Sequence, residues 1–303
     1  MKDLTTHLGP MTLRSPLIAA SGTVGSVVDF AATVDFSLYG AAVAKSVSDE
    51  PWPGREEPRL GHAGTGMLNA IGIQNPGIGE WVATVGPRLT AAGVPVWGSA
   101  VGHAAKDFAT VAAGLAGSGV SAVEVNLSCP NIEDGSLFAL DPGSSREVVA
   151  AVRSATDLPI GAKLSPNAEQ VVKVADAVIG AGADWVVLTN TAWGAAIDVE
   201  SRRPILSSVV GGYSGPPLKP IAMRCVWEVA QSLPGVPIVG CGGVSRGLDV
   251  VEYLLAGASA VALGSIHFAE PRAARRIQRE LAKLLDSMGA ESIEELIGGA
   301  RPW

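Results

Sequence analysis

Short apolar runs recur along the whole chain, and each run gives way to a segment in which polar residues predominate. The runs are nearly continuous in apolar character, which is typical of parallel strands that are buried on both faces. The pattern therefore predicts eight buried strands, at residues 15–20, 41–45, 95–101, 122–127, 160–164, 185–191, 238–242 and 260–264.

Segments with the period of an amphipathic α-helix separate most of these runs. Several end in glycine just before the next run, as at Gly117, Gly180 and Gly257, which is a common helix stop signal. Strand–helix units repeat along the chain, and no other repeating pattern interrupts them. This favours an α/β fold, a (β/α)8 TIM barrel that forms one domain over residues 1–303. An open doubly wound sheet is the alternative. The predicted helices cover residues 104–115, 146–156, 168–181, 221–231 and 248–256, with a short acidic helix at 292–297.

Two connections, residues 46–77 and 191–219, are too long to be simple turns. Long loops without secondary structure are uncommon in compact domains and usually serve a function. Both connections follow a predicted strand, so they are expected as long insertions at the C-terminal face of the barrel. Barrel active sites are built at that face.

Composition narrows the class of protein. Apolar residues make up 48% of the 303 residues and charged residues 17%, which suits a large core and argues against disorder. The net charge of -7 is spread along the chain, so a nucleic-acid-binding face is not expected. The N-terminal residues lack the apolar run of a signal peptide, and no run is long enough to span a membrane. A cytoplasmic location is therefore expected.

The three cysteines and four histidines make a metal centre improbable. Three cysteines cannot supply the four thiolates of an iron–sulfur cluster, and the histidines lack the spacing of a zinc site. An odd and sparse cysteine count also fits a reducing compartment. No G-x-G-x-x-G motif follows a strand, so a nicotinamide site of the Rossmann type is not predicted.

Polar residues gather where the predicted strands end, which would place a polar ring around one mouth of the barrel. Lysine in such a pattern is notable, because a buried lysine is costly without a partner. Glycines end strands seven and eight, where this fold usually binds phosphate through backbone N–H groups. The strand-end residues are Ser21, Lys45, Ser46, Ser99, Asn126, Ser128, Cys129, Lys163, Asn190, Thr191, Gly242, Gly243, Gly264 and Ser265.

Cys129 differs from the other two cysteines because it lies just beyond a strand, among asparagines and a serine, in NLSCPN at 126–131. A thiol can accept a proton near neutral pH when nearby cations favour the thiolate. Lys45 and Lys163 are the candidates to supply that charge. Cys225 and Cys241 have the setting of small buried hydrophobic residues.

These residues resemble the class 1 dihydroorotate dehydrogenases, and more closely class 1B, the catalytic subunit of the NAD-linked enzyme. The resemblance covers nearly the whole chain, and NAIGIQNPG together with SCPN is highly specific. Its carriers are ASGT at 20–23, KS at 45–46, GMLNAIGIQNPG at 66–77, VEVNLSCPN at 123–131, AKLSPN at 162–167, TNT at 189–191, GGYSGPPLKP at 211–220, GCGGV at 240–244 and ALGS at 262–265.

The resemblance implies that one FMN and one dihydroorotate bind at the barrel mouth, in an enzyme of de novo pyrimidine (UMP) biosynthesis. Asparagine amides suit a flat cyclic diamide because they both donate and accept hydrogen bonds. The implied FMN contacts are Ser21, Lys45, Ser46, Ser99, Asn126, Lys163, Thr189, Gly215, Gly242, Gly243, Gly264 and Ser265. The implied substrate contacts are Lys45, Asn69, Ala70, Ile71, Gly72, Ile73, Asn126, Asn131, Asn190 and Thr191.

The implied reaction is oxidation of (S)-dihydroorotate to orotate. Cys129 would remove the C5 proton while the C6 hydride passes to N5 of FMN, and the segment after Cys129, to about Pro142, would close over the substrate. Lys163 would stabilise the negative charge of the reduced flavin. A homodimer of barrels is expected, joined to a second subunit that carries FAD and a [2Fe-2S] cluster and passes electrons to NAD.

The sequence departs from the family pattern at Ser99, where asparagine is usual, and over residues 49–60. The electron acceptor also stays open: a stand-alone, fumarate-using class 1A-like enzyme and a related dihydropyrimidine oxidoreductase are alternatives. Outside redox chemistry, Lys163 could form a Schiff base in a sugar-phosphate aldolase. A barrel that only binds a partner is a further alternative.

Overall fold

Eight parallel strands close into a barrel in the computed structural model, which describes residues 2–127 and 138–301. Each strand pairs with the strands before and after it in sequence, and the last closes onto the first with Val261 opposite Leu17. The strands are β1 (Leu17–Ala19), β2 (Ala41–Val43), β3 (Val96–Ala100), β4 (Ala122–Asn126), β5 (Ile160–Leu164), β6 (Trp185–Leu188), β7 (Ile238–Cys241) and β8 (Ala260–Leu263).

Helices surround the barrel and bury their apolar faces against the strands. The α-helices are α1 (Ile78–Thr84), α2 (Ala105–Ala116), α3 (Pro142–Ala155), α4 (Val171–Gly180), α5 (Lys219–Ser232), α6 (Gly247–Leu255), α7 (Ile266–Ala269) and α8 (Ala273–Met288). Short 3-10 helices are Val28–Phe30, Phe36–Leu38, Gly86–Ala92, Phe138–Leu140, Pro216–Leu218 and Glu294–Leu296.

Local chemistry sets the ends of these helices. The Asp141 carboxylate accepts the Ser144 N–H at 2.7 Å, and Pro142 follows it at the first position of α3, where a proline costs no hydrogen bond. At the other end of the chain, Gly289 stops α8 in the left-handed conformation with φ +70°.

Large hydrophobic side chains fill the half of the barrel interior that lies at the amino ends of the strands. The rings of Trp97 and Trp185 pack with centroids 4.9 Å apart, and Gly161 leaves room for the Trp185 indole because a Cβ there would collide with it. An N-terminal hairpin, Thr6–Leu8 paired with Met11–Leu13, places Leu8 and Leu13 in the same cluster. The open end of the barrel is therefore the carboxyl ends of the strands.

The two long connections pair with each other at that open end. They form a four-stranded antiparallel sheet, termed here the inserted sheet, in the order Ala192–Gly194, Gly211–Ser214, Gly66–Asn69, Leu60–Ala63. A two-residue ladder, Ile197–Asp198 with Arg203–Pro204, completes the second connection.

The predicted barrel, its eight strands and its five helices are confirmed, and the open-sheet alternative is wrong because the sheet closes. Two expectations need correction. The long connections contain paired strands, since each supplies the hydrogen-bonding edge that the other lacks. The helix expected at 292–297 is only the 3-10 turn Glu294–Leu296, and the sixteen-residue helix α8 was not predicted.

Among the residues that the structure describes, no helix has both the length and the apolar character needed to cross a membrane.

Candidate active site

A chain of hydrogen-bonded side chains crosses four strand ends at the barrel mouth. The Ser46 and Ser99 hydroxyl oxygens lie 2.9 Å apart, and Nδ2 of Asn126 donates to Ser46 Oγ at 3.1 Å. Nδ2 of Asn190 donates in turn to Oδ1 of Asn126 at 3.2 Å. The chain joins the ends of β2, β3, β4 and β6, so it brings together residues that are far apart in sequence.

Ser99 is part of this chain and is buried with 1% of its surface exposed. Its short side chain reaches Ser46 at the flank of the mouth. Where the family pattern has an asparagine, Ser99 instead places a hydroxyl next to Ser46. The Ser46 hydroxyl in turn accepts a hydrogen bond from Asn126.

Two lysines belong to the same mouth. Lys45 is partly buried two residues after β2, and the Ser21 hydroxyl donates to the carbonyl oxygen of the preceding residue, Ala44, at 2.7 Å. Lys163 points into the barrel from β5 and is 6% exposed, with its Nζ 3.8 Å from Oε1 of Glu124. Burial raises the pKa of the Glu124 carboxyl, and the Lys163 ammonium opposes part of that rise.

Residues 69–73, predicted to bind substrate, begin at Asn69, the last residue of one strand of the inserted sheet. Nδ2 of Asn69 donates to the Gly212 carbonyl oxygen at 3.1 Å, and a Cβ at Gly212 would collide with the Thr191 hydroxyl. The same Cβ would lie 3.2 Å from Nδ2 of Asn69, so the structure brings Asn69 and Thr191 together at Gly212. Gly72 and Ile73 have φ of +69° and +57°, a conformation that fixes the turn of this loop.

Not every side chain in this loop faces the mouth. Ala70 packs with Leu68 and Leu206 in a small apolar cluster of the inserted sheet, and Ile73 is buried in the main core. Contacts from these two residues to a ligand would therefore come from their backbone groups.

Asn75 was missing from the predicted site and anchors the same loop. Its Oδ1 accepts the N–H groups of Ser48 and Gly77 at 3.1 and 2.9 Å, and its Nδ2 donates to the Ile73 carbonyl oxygen at 2.8 Å. Asparagine between two glycine-rich turns, in IGIQNPG, is the signal that could have revealed it.

The unusual segment 49–60 supports this loop from outside. The N–H groups of Trp52 and Asn75 donate to each other's carbonyl oxygens at 2.9 Å, and the Arg55 N–H donates to the Ile71 carbonyl oxygen at 3.2 Å. The Ala70 N–H donates to the Arg59 carbonyl oxygen at 2.8 Å. The segment therefore fixes the back of the loop that carries the predicted substrate contacts.

Glycines and small residues form the part of the mouth at the ends of β7 and β8. Gly243, with φ +68°, packs so closely that a Cβ would lie 2.7 Å from the Lys219 nitrogen and 2.9 Å from the Pro216 carbonyl oxygen. The turn that follows Gly215 therefore packs against the end of β7. The Gly242 carbonyl oxygen accepts the Tyr253 hydroxyl at 2.8 Å.

Gly264 differs from these glycines because no atom lies within 4 Å of the place where its Cβ would be. It ends β8, and Ser265 follows it at the start of α7. The predicted phosphate site thus has open space beside a strand end, where backbone groups can approach an anion.

His267 was also missing from the predicted site. It is buried in α7, with Nδ1 3.0 Å from the Thr23 hydroxyl and Nε2 2.8 Å from the Tyr39 hydroxyl. Burial lowers the pKa of His267 to about 4, so the ring is neutral near pH 7. It ties the loop after β1 to the helix after Gly264.

Cys129 and Asn131, and most of the segment predicted to close over the substrate, lie outside the described residues. Cys225 and Cys241 are buried, as predicted for small hydrophobic residues, and burial raises the pKa of Cys225 to about 11. Thr189 is buried at the end of β6, where its N–H donates to the Cys241 carbonyl oxygen at 2.6 Å.

Comparison with known proteins decides the family. The family model described as dihydroorotate dehydrogenase matches residues 3–285. The chain belongs to the dihydroorotate dehydrogenase family. Family membership makes it a flavin-dependent oxidoreductase and confirms the resemblance drawn from the motifs. The aldolase and the binding-only barrel are thereby excluded.

Relatives in the family match over almost their full length. The chain is 43% identical over 298 residues to the catalytic subunit of dihydroorotate dehydrogenase B (NAD(+)) of Citrifermentans bemidjiense, covering 98% of this chain and 97% of that one. It is 42% identical over 292 residues to the same subunit of Desulforudis audaxviator, covering 96% and 95%.

A solved structure supports the fold. The dihydroorotate dehydrogenase of Eimeria tenella, crystallised with ferulenol, superposes with a TM-score of 0.81 at 22% identity. The match covers 98% of this chain and 88% of that one.

Proposed function

We propose that the protein oxidises dihydroorotate to orotate in pyrimidine biosynthesis, with FMN as its bound flavin. The observation that carries the proposal is the chain from Asn190 through Asn126 and Ser46 to Ser99 at the mouth of a barrel of this family. Its amides and hydroxyls both donate and accept hydrogen bonds, which suits a flat ring with alternating carbonyl and N–H groups.

The residues present fit FMN. Gly264 borders open space at the end of β8, which suits the approach of a phosphate to backbone N–H groups. Lys163, held inside the barrel, suits the pyrimidine edge of the flavin ring, which gains negative charge on reduction. Bound FMN supplies the two-electron acceptor for the C6 hydride. The residues proposed to hold it are Ser21, Lys45, Ser46, Ser99, Asn126, Lys163, Thr189, Gly215, Gly242, Gly243, Gly264 and Ser265.

Dihydroorotate is proposed to bind between the flavin site and residues 69–73. The Asn190 and Asn126 amides would pair with the ring carbonyl and N–H groups, and Lys45 would offset the carboxylate. The contact of Asn69 and Thr191 at Gly212 supports this position. The Thr191 N–H donates to Oδ1 of Asn190, the last residue of the hydrogen-bonded chain, so all three residues are close together. The proposed substrate residues are Lys45, Asn69, Ala70, Ile71, Gly72, Ile73, Asn126, Asn131, Asn190 and Thr191.

Cys129 is proposed as the base that takes the C5 proton onto its sulfur. It follows β4 by three residues in the sequence, and Asn126 at the end of β4 belongs to the mouth. The lysines at the mouth would favour its thiolate form. No other cysteine suits this role, because Cys225 and Cys241 are buried in the described structure.

Electrons are proposed to pass to NAD through a partner subunit that carries FAD and a [2Fe-2S] cluster, in a heterotetramer built on a homodimer of barrels. The relatives are named as catalytic subunits of an NAD-dependent enzyme, which supports a partner. Exposed apolar side chains of the two insertions are candidates to contact a second barrel. They are Leu60, Trp193, Ile197, Val199, Val209 and Val210. The cytoplasmic location stays a prediction.

The visible spectrum of the purified chain tests the proposal. We expect flavin absorbance that is released as FMN on denaturation and bleaches when dihydroorotate is added without oxygen. A purified, folded chain that cannot take up FMN, or whose FMN is not bleached, would contradict it.

The electron acceptor has its own test. The reduced protein is mixed with NAD, with fumarate, and with NAD plus the partner subunit. Reoxidation by NAD only with the partner supports the proposed route, whereas rapid reoxidation by fumarate alone supports the stand-alone class 1A-like alternative.

A further inference from the structure

A buried carboxyl group lies below the proposed flavin site. Glu124 interrupts the apolar strand β4, and its side chain points into the barrel with 2% of its surface exposed. It lies two residues before Asn126, so both side chains face the interior, with Glu124 one step further from the mouth. Neither the proposed mechanism nor the family motifs assign it a role.

The nearest cation to Glu124 is Lys163. Its Nζ lies 3.8 Å from Oε1 of Glu124, and that oxygen makes no hydrogen bond to any residue that the structure describes. The register places Lys163 beside Asn126 and Glu124 beside Gly161, so the pair crosses diagonally between adjacent strands. Gly161 has no side chain, and the Trp185 indole fills the space where its Cβ would lie.

On the side away from the mouth the pair faces two uncharged aromatic rings, whose buried indole N–H groups have no hydrogen-bond partner in the described structure. Trp97 and Trp185 fill the barrel below it, and the N-terminal hairpin covers them. Across the barrel, Cys241 on β7 is a titratable group that feels both charges, and burial raises the pKa of its thiol. The other inward residues of the flanking strands β3 and β6 are Trp97, Ser99, Trp185 and Val187, which are uncharged.

The role of Glu124 follows from the charges that it and Lys163 carry inside the barrel. An isolated ammonium in an apolar interior is strongly disfavoured, whereas a carboxylate within about 4 to 6 Å favours the charged amine. The ordinary pKa values of the amine and the carboxyl differ by about six units, so the ion pair is favoured over the neutral pair. With Glu124 ionised, the two residues together carry no net charge, and the carboxylate favours the protonated form of Lys163.

We propose that Glu124 is a positioning residue that keeps Lys163 protonated and oriented toward the flavin, and thereby sets the reduction potential of bound FMN. The flavin part of this inference rests on the proposed function, while the effect of Glu124 on Lys163 does not. Glu124 acts only through Lys163 and takes no part in the transfer of hydride or proton from the substrate.

The first test follows the lysine itself. The chain has seven lysines, so selective ¹³C labelling at Cε gives few signals, and Lys163→Met assigns the relevant one. In the flavin-free wild type we expect Lys163 to stay protonated from pH 6 to 9. In Glu124→Gln, which keeps shape and removes charge, its protonation constant should fall at least tenfold. An unchanged titration, or a neutral Lys163 in the wild type, would overturn the proposal.

Glu252→Gln is the matched control. Glu252 pairs with Lys219 at 2.7 Å outside the barrel, so the substitution breaks another glutamate–lysine pair. The Lys163 signal should not respond to it. A response equal to that of Glu124→Gln would show a non-specific effect and contradict the proposal.

The second test measures the reduction potential of bound FMN against pH. In Glu124→Gln, reduction of FMN should cause Lys163 to take up a proton. The number of protons taken up per two electrons should therefore exceed that of the wild type by up to about one, over the pH range where Lys163 titrates. At higher pH the potential should fall below that of the wild type. A role in packing alone would weaken FMN binding without changing the proton count.

A double-mutant cycle covers the case in which Glu124→Gln folds poorly. The Glu124→Gln/Lys163→Met variant removes both charges and leaves no lone buried ion, so it should fold. Once Lys163 is gone, Glu124→Gln should have little further effect on the potential. Equal effects in both backgrounds would mean that Glu124 does not act through Lys163. A failure to bind FMN in every variant would count against the proposed function, and the lysine titration would still decide the role of Glu124.

Discussion

Asn190 donates a hydrogen bond from Nδ2 to Oδ1 of Asn126 at 3.2 Å, linking the segment after β6 to the end of β4. The two residues are 64 positions apart in sequence and come together only because the barrel closes. Each amide thereby fixes the orientation of the other, so a substrate ring that binds as proposed would meet donors and acceptors in a set arrangement.

Replacing Asn190 with alanine should impair substrate binding more than folding. The variant loses its proposed contact with the ring and leaves Asn126 without this partner, so kcat/KM for dihydroorotate should fall about tenfold to a hundredfold. Gln278→Ala is the control, because its amide donates to the Leu38 carbonyl oxygen away from the mouth. Steady-state kinetics with equal values for Asn190→Ala and the wild type would remove Asn190 from the substrate site.

Cys129→Ala should lower turnover by about 10²- to 10⁴-fold while FMN stays bound, which is the usual size of a general-base contribution. Anaerobic stopped-flow bleaching of the flavin by dihydroorotate measures the step directly. Cys225→Ala, at a buried thiol of the core, should bleach at the wild-type rate. Near wild-type bleaching in Cys129→Ala would exclude Cys129 as the base.

A methyl group at Gly264 should weaken FMN binding without destabilising the flavin-free protein. The added Cβ enters open space at the end of β8, where the phosphate is proposed to bind, and meets no protein atom within 4 Å. We expect the Kd for FMN, measured by fluorescence quenching, to rise at least about tenfold, equivalent to about 1.4 kcal/mol.

Gly79→Ala is the matched control for Gly264→Ala. Gly79 lies in α1 and also has no atom within 4 Å of its Cβ position, so the added methyl group is equally unhindered. FMN affinity should be unchanged there. If the two variants bind FMN equally well, the phosphate lies elsewhere.

Asn75→Ala should loosen the loop at residues 69–73. The substitution removes acceptors for the Ser48 and Gly77 N–H groups and a donor to Ile73, and leaving such groups unsatisfied costs about 1–3 kcal/mol each. We expect a lower Tm and a higher KM for dihydroorotate, with FMN affinity retained. A KM equal to that of the wild type would show that the loop does not contact the substrate.

His267 should make the protein less stable in mild acid. Its pKa is about 4 in the folded protein and about 6.5 when unfolded, so the unfolded chain binds more protons between these values. The contribution is fully present above pH 6.5 and is lost as the pH falls toward 4, amounting to about 3 kcal/mol.

Urea unfolding between pH 7 and pH 4 measures this dependence. His267→Gln should be less stable at pH 7 and should show a flatter profile, whereas His62→Gln, at an exposed histidine of the inserted sheet, should keep the wild-type slope. An identical slope in His267→Gln would show that another group causes the acid sensitivity.

Part of the site could be predicted from the sequence because each strand end is indicated by the change from apolar to polar residues. Lys45, Asn126 and Lys163 each stand where an apolar run ends or is interrupted, and such runs identify buried parallel strands without knowledge of their neighbours. Glu124 carried the same signal, an ionisable residue inside AVEVNL, and strand alternation with Asn126 would have placed it inside the barrel. The four-residue spacing of Ile277, Leu281 and Leu285 would have identified α8 in the same way.

The amino-acid sequence by itself determined the eight strands, five of the helices and the residue types that gather at one mouth, because hydrophobic period and strand-end chemistry are local properties. Tertiary structure alone decided which of those residues meet. Closure of the barrel joins Ser99, Ser46, Asn126 and Asn190, and brings Lys163 to 3.8 Å from Glu124. Pairing of the two insertions into one sheet likewise depends on edges more than 140 residues apart, since Tyr213 pairs with Leu68. Such contacts depend on strand register and sheet closure, which no local pattern specifies.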